Sequence, residues 1–331
     1  MNDLSKLKVS SSPHIRSAST TQQIMADVLI ALLPALALAV FVYGPRALTV
    51  TMISVLGCIF FEWLYETLTH KPLTIDDLSA AVTGLLLAFT LPVTTPIWIV
   101  LLGDLFAIVI VKQLFGGIGK NFVNPALSAR AFLLASFAGP VSVIPKIRTA
   151  LPLFTTPVDV VTTATPLIQM KDGALPEVPL LQNALGMVGG VIGELSSVAL
   201  IAGGLYLLYR KVISPRIPLC FIGTVALLTF LFPQGNNNLL WMGNQVLSGG
   251  LLLGAIFMAT DYTTSPITPK GQIVFAVGCG ALTVLIRYFG TYPEGVSYAI
   301  LVMNLFVNLI EKFTLPRRFG TVRQKKEAQG K

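Results

Sequence analysis

Residues 97–126 read IWIVLLGDLFAIVIVKQL and then FGGIGKNFVNPA. The first part is apolar except for Asp104 near its middle and Lys112 two turns further on, and it is about as long as a bilayer is thick. The second part is a Gly- and Asn-containing break, after which another apolar run starts at Ala126. Apolar runs of membrane width joined by short Gly- or Pro-containing breaks predict a polytopic membrane protein with interrupted helices, because irregular backbone is tolerated there only where it is buried or lines a cavity.

Working outward, the rest of the chain repeats this pattern. Of its 331 residues 54% are hydrophobic and 11% charged, where a soluble domain carries about 25% charged residues; the mean hydropathy is +0.77. Ten apolar spans are predicted, at 24–42, 47–64, 78–91, 97–114 and 126–137, then 195–209, 217–232, 239–258, 273–286 and 296–310. The expected fold is all-α, with a basic arm (1–23), a first five-helix membrane unit (24–138), a linking segment (139–193), a second five-helix unit (194–313) and a basic tail (314–331). The arm has no apolar core followed by a cleavage site, so no signal peptide is expected.

The formal charge of +8 raises nucleic acid as a partner, but Lys and Arg concentrate at the termini and in short loops, as membrane orientation requires. The lipid bilayer is therefore the expected partner. Ten spans place both termini on one side, and Lys71, the Lys112/Lys120/Arg130 region, Arg210–Arg216 and Lys270 are expected on that side, against only Arg46 and Arg287 in the opposite short loops. The termini are then predicted to be cytoplasmic and the linking segment periplasmic. Cys58, Cys220 and Cys279 lie singly in apolar runs, and His14 and His70 lie outside the spans, so no metal site is expected.

Short motifs recur in order. Pro45-Arg46 returns as Pro215-Arg216, Gly84-Leu85-Leu86-Leu87 as Gly250-Leu251-Leu252-Leu253, and Thr94-Thr95-Pro96 as Thr264-Ser265-Pro266. Phe115-Gly116 returns as Phe289-Gly290, and Phe132 aligns with Phe306, with offsets between 166 and 174 throughout. Five spans per copy predict two inverted repeats, whose sites usually lie at the repeat interface beside broken helices. The breaks here are 115–126 and 258–271.

No P-loop, HExxH or nucleotide-binding glycine fingerprint is present, and no catalytic residue is assigned to this chain. Asp104 is an ion-pathway candidate, because a carboxyl in hydrocarbon is costly; an Asp facing a wet crevice is the competing reading. Glu62, Glu194 and Glu311 fall at span ends, where interfacial solvation is the expected explanation. In the breaks, Lys120, Asn121 and Asn124 offer donors suited to a phosphate or a flavin, and Asp261 sits among freed backbone groups; recapping of broken helices is the competing role. The run TTATPL (162–167) is, on physics alone, a capped turn, since Pro166 pushes Thr165 towards an extended conformation.

Four stretches together resemble one family: KQLFGGIGKNFVNPALSARAF (112–132), DVVTTATPL (159–167), GVIGELSS (190–197) and FMATDYTTSPITPKGQ (257–272). The chain is similar to the D subunits of the Rnf complex, an ion-translocating ferredoxin:NAD oxidoreductase of the bacterial inner membrane. It is more distantly similar to the B subunits of the sodium-pumping NADH:quinone oxidoreductase. The resemblance implies FMN joined through its phosphate to a threonine hydroxyl. The family pattern maps onto Asp159, Thr162, Thr163, Ala164 and Thr165, which makes Thr165 the acceptor; Thr163 stands where glycine is common. It also implies a flavin transferase for maturation and partner subunits that carry iron–sulfur centres, a second flavin and the NAD site. A non-covalent riboflavin, which the sodium-pump relative holds, is expected if anywhere at Gly116, Asn121, Asn124, Asp261 and Thr264. The expected function is electron transfer coupled to Na⁺ or H⁺ translocation, within an oxidoreductase whose active site this chain does not complete. The inverted repeat and broken helices alone are equally compatible with a solute channel or transporter, and a scaffold with a vestigial flavin loop is a third reading.

Overall fold

The computed structural model describes residues 19–149, 151–154, 165–171, 173–176, 178–292 and 294–316. Its regular structure is helical, and among the described residues there is no strand. The first half comprises α1 (Thr21–Tyr43), α2 (Pro45–Leu68), α3 (Ser79–Thr90), α4 (Ile97–Leu105), α5 (Pro125–Ser136) and the short α6 (Ala138–Val141). Two short helices, α7 (Pro166–Lys171) and α8 (Leu180–Leu185), lie in the linking segment. The second half comprises α9 (Ser197–Tyr209), α10 (Arg216–Leu231), α11 (Asn238–Leu247), α12 (Leu251–Leu253), α13 (Pro269–Phe289) and α14 (Val296–Thr314).

Local chemistry explains where these helices start. Thr20 and Gln23 form a reciprocal capping box at α1, which satisfies two amide donors that would otherwise be orphaned in an apolar setting. Asn124 caps α5 and Thr268 caps α13, each followed by proline at the first helical position, where the missing N–H costs nothing. Gly44, at φ 73°, lets the chain turn directly from α1 into α2. Two helices widen near their ends. α4 runs on through Phe106–Gln113, and α12 through Gly254–Met258, with amides bonding five residues back (Leu114 N to Val109 O, 3.0 Å; Ala259 N to Gly254 O, 2.7 Å). Such π turns are often found at functional sites.

The packing follows from small residues. α2 lies along α3 and α4, and α10 lies along α11 and α13. The two halves meet where α9 crosses α1, with Gly203 against the Ala31 carbonyl, a position a β-carbon would fill. Close approach at small residues is the usual substitute for hydrophobic drive between helices in lipid.

Four helices (α1, α2, α13, α14) are long and apolar enough to cross a membrane, or five if α11 and the α12 run, bent by 60°, count as one. The other expected spans are shorter: α3, α9 and α10 have 12, 13 and 16 residues. The predicted continuous span 239–258 is interrupted at Ser248–Gly250, where Gly249 adopts φ 71°. The structure thus shows four or five membrane-length helices together with shorter apolar ones.

Candidate functional site

Two cavities sit at the interrupted helices. The first is lined by Thr165 and has about 970 Å³ of space, counting its open mouth. Its walls come from α5, the start of α7, the loop before α9, the α11–α12 break and the loop before α14; Arg130, Thr165, Glu194, Tyr292, Glu294 and Tyr298 carry its polar character.

Thr165 is held from below by α7. Leu167 and Met170 are buried against Trp241, whose indole donates to Tyr288 Oη at 3.0 Å, and Leu167 fills the space beside Gly249 in the α11–α12 break. The Thr165 carbonyl accepts from Ile168 N (3.0 Å) and Gln169 N (3.2 Å). Among the described residues its hydroxyl makes one contact, 3.4 Å from Ile168 N, weak by length, so the α7 turn does not depend on it. Thr165 is half-buried and lines the cavity. Asp159, Thr162, Thr163 and Ala164 lie outside the described residues.

The remaining wall is tightly cross-linked. Tyr43 Oη, at the end of α1, donates to Gly190 O (2.7 Å) and accepts from Gly190 N (2.9 Å). Arg287 donates to Gln245 Oε1 (2.9 Å), to the Gln245 and Ser248 carbonyls (2.5 and 3.3 Å) and to the Glu294 carbonyl (3.1 Å). Its donors thereby satisfy the end of the broken α11. Asn183 Nδ2 donates to Ser248 Oγ at 2.6 Å. Tyr292 and Tyr298 stack with centroids 5.6 Å apart. In the loop before α9, burial pushes the Glu194 carboxyl up from its ordinary value, Glu294 adds to this, and Arg130 and Arg287 oppose it.

The second cavity, about 1030 Å³, lies beside the π turns and is lined by Lys112, Asn121, Asn124, Asp261 and Thr263 among others. Asn124 bridges the halves, its Nδ2 donating to Met258 O at 3.3 Å while its Oδ1 caps α5. Asp261 accepts from the Thr263 and Thr264 hydroxyls at 3.0 and 3.1 Å, so its carboxylate is occupied in its own turn. The structure brings Asn121, Asn124 and Asp261 together; Thr264 and Gly116 are not in the lining, and Gly116 lies against Lys120.

Asp104 is fully buried. Its Oδ1 accepts from Ser54 Oγ (2.6 Å) and Cys58 Sγ (3.4 Å), and its Oδ2 has no partner. Lys112 does not serve it: its ammonium donates to Glu62 Oε1 and to Ser79 Oγ, both at 2.6 Å. Glu62 is therefore not the solvated span-end carboxylate expected from the sequence. It is 0% exposed and also receives Gln113 at 2.7 Å. Glu194 departs from that expectation too: it is half-buried and lines the first cavity. Ser54, Cys58, Glu62 and Glu66 recur every four residues on one buried face of α2, a spacing legible in the sequence that the span-by-span reading did not use. Arg130 and Arg287 stood in recognisable runs, but nothing local distinguished them.

Comparison with known proteins places the chain in a family. The profile of the NQR2, RnfD, RnfE family matches residues 8–320. The chain is 50% identical, over 99% of its length and all of the relative's, to the D subunit of the Na⁺-translocating ferredoxin:NAD⁺ oxidoreductase complex of Acetobacterium woodii. It is 44% identical, over 95% of its length and 96% of the relative's, to the D subunit of the proton-translocating ferredoxin:NAD⁺ oxidoreductase complex of Clostridium ljungdahlii. It is 36% identical, over 94% and 95%, to the D subunit of the ion-translocating oxidoreductase complex of Halorhodospira halophila. With near-complete coverage in both directions, the chain belongs to the NQR2, RnfD, RnfE family.

Proposed function

We infer that the chain is a membrane component of an Rnf-type complex that couples electron transfer between ferredoxin and NAD to ion translocation, and that it carries electrons through an FMN esterified to Thr165. The observation that carries the first part is end-to-end identity of 50% with the D subunit of such a complex. The second part rests on the cavity. A threonine whose turn does not need its hydroxyl, a stacked tyrosine pair and an arginine with a guanidinium nitrogen that has no hydrogen-bond partner among the described residues line one cavity. These are the groups a flavin phosphate ester needs: an acceptor oxygen, a flat apolar wall and a donor for an electron-rich edge.

When bound, the isoalloxazine supplies the electron acceptance and donation, and the protein supplies position and electrostatics. Thr165 would fix the phosphate end at the rim. The α7 clamp on Trp241 would hold that rim, and the Tyr43–Gly190 and Arg287 bonds would keep the opposing wall rigid. Partner subunits, including iron–sulfur and NAD-binding ones, and a flavin transferase belong to the same reading. So does the arrangement of the shorter apolar helices as ten membrane segments in two inverted units, with cytoplasmic termini and the Thr165 side periplasmic in a bacterial inner membrane, which the basic loops and the repeated motifs support. Asn121, Asn124 and Asp261 are the proposed contacts of a second, non-covalent flavin, and Asp104 is the proposed ion-pathway residue.

The complex co-expressed with its transferase should show in-gel flavin fluorescence at the band of this chain after denaturation. Fluorescence that survives Thr165→Ala would refute the attachment site.

A further inference from the structure

Arg130 is the one buried cation beside Thr165 whose donors are incompletely used among the described residues. It is 4% exposed. Its Nη2 stands 3.5 Å from Glu294 Oε2, a long contact for an ion pair, and its Nη1 has no hydrogen-bond partner. A guanidinium cannot shed its proton, so a buried free N–H is a desolvation cost with no return in the ligand-free protein. The neighbouring Arg287 shows the contrast: every bond it makes goes to protein oxygens of the α11 end and the Glu294 carbonyl. Both Arg130 and the stacked Tyr292–Tyr298 pair line the Thr165 cavity.

We propose that Arg130 is the residue that sets the reduction potential of the flavin, through its guanidinium, turned towards the cavity it lines, donating to the pyrimidine edge of the isoalloxazine. This rests on the reading of Thr165 as the attachment site. If the phosphate is tied to Thr165, the ribityl chain carries the ring away from the rim, and the tyrosine pair is the flat surface in the cavity able to receive it. Arg130, on α5 beside that surface, then meets the ring edge. A flavin bound there would gain negative charge at that edge when reduced by electrons that originate in ferredoxin and pass on to NAD⁺, the donor and acceptor of the reaction inferred for the complex. A fixed guanidinium in a water-poor site stabilises the charged form over the oxidised one. A charge-assisted bond of this kind changes the reduced-to-oxidised ratio by about tenfold or more, which for a one-electron couple is about 59 mV per tenfold.

The test is a potentiometric titration of the whole complex carrying Arg130→Gln and, separately, Arg130→Lys. The spectrum of a Thr165→Ala complex is subtracted so that only this flavin is read. The expected result is a flavin still attached, seen by in-gel fluorescence, with a midpoint lowered by about tenfold in equilibrium constant in the Gln variant. In the Lys variant, which keeps the charge but loses the planar fork, a smaller drop is expected. An unchanged midpoint in both variants with flavin attached would overturn the role of Arg130 while leaving Thr165 standing. Loss of attachment in a complex that still assembles would place Arg130 at the phosphate and overturn the proposal too. Unmodified Thr165 in the unsubstituted complex would remove the attachment site and the proposal together.

Discussion

The two cavities at the broken helices share a design but differ in what they leave unsatisfied. Around Asn121, Asn124 and Asp261 the polar groups have partners in the fold: Asn124 caps α5 and bonds to Met258, and Asp261 accepts from two threonines. Around Thr165, among the described residues, the hydroxyl has one long contact and Arg130 Nη1 has no hydrogen-bond partner. The other buried side-chain atoms without a partner among the described residues, Glu62 Oε2 and Asp104 Oδ2, lie outside the lining of both cavities. Loss of polar residues is thus expected to cost mainly ligand binding at the first cavity, and stability as well at the second.

That contrast can be broken most strongly at Thr165. Thr165→Ala should abolish covalent flavin while the complex still assembles, because the backbone carbonyl, not the hydroxyl, carries the α7 turn; blue-native and denaturing gels of the same sample read both. At the margin of the second cavity the effect should be on stability. Lys112→Met leaves Glu62 fully buried without its cation and should cost about 3–5 kcal/mol, seen as a large fall in melting temperature in detergent. Glu62→Gln on top of it should recover much of the loss. A Lys112→Met protein as stable as the parent would mean the pair is solvated.

Asp104→Asn keeps the Ser54 contact and removes the carboxyl; ion transport should fall while ferredoxin-driven electron transfer continues. Equal retention of both would remove Asp104 from the pathway. Asn124→Ala should cost about 1 kcal/mol through the lost cap, with covalent flavin content unchanged. Thr264→Ala, which removes one of two hydroxyl donors to Asp261, should cost the least, about 0.5–1.5 kcal/mol.

Much of the helix layout was legible from the apolar runs alone. Thr20 with Gln23, Asn124-Pro125 and Thr268-Pro269 are local start signals that the reading by apolar runs did not use, and the structure uses each of them, so α1, α5 and α13 start ahead of the expected positions. The break at Ser248–Gly250 was missed because it falls inside a run apolar enough to read as one helix, and only packing of Leu167 against Gly249 explains it. Glu62 was misread for a related reason: its partner Lys112 lies 50 residues away in sequence, and solvation at a span end is the local default. Thr165 was reached through family resemblance, since its own surroundings describe only a capped turn. Arg130 is the opposite case: nothing near it in sequence sets it apart, and only its Nη1, which has no hydrogen-bond partner among the described residues, does.

The most direct measurement is the intact mass of the peptide containing Thr165, taken from the complex matured with its flavin transferase. A gain of one flavin mononucleotide on that peptide, absent in Thr165→Ala, is the predicted result. An unmodified Thr165 in an active, ion-coupled complex would contradict it.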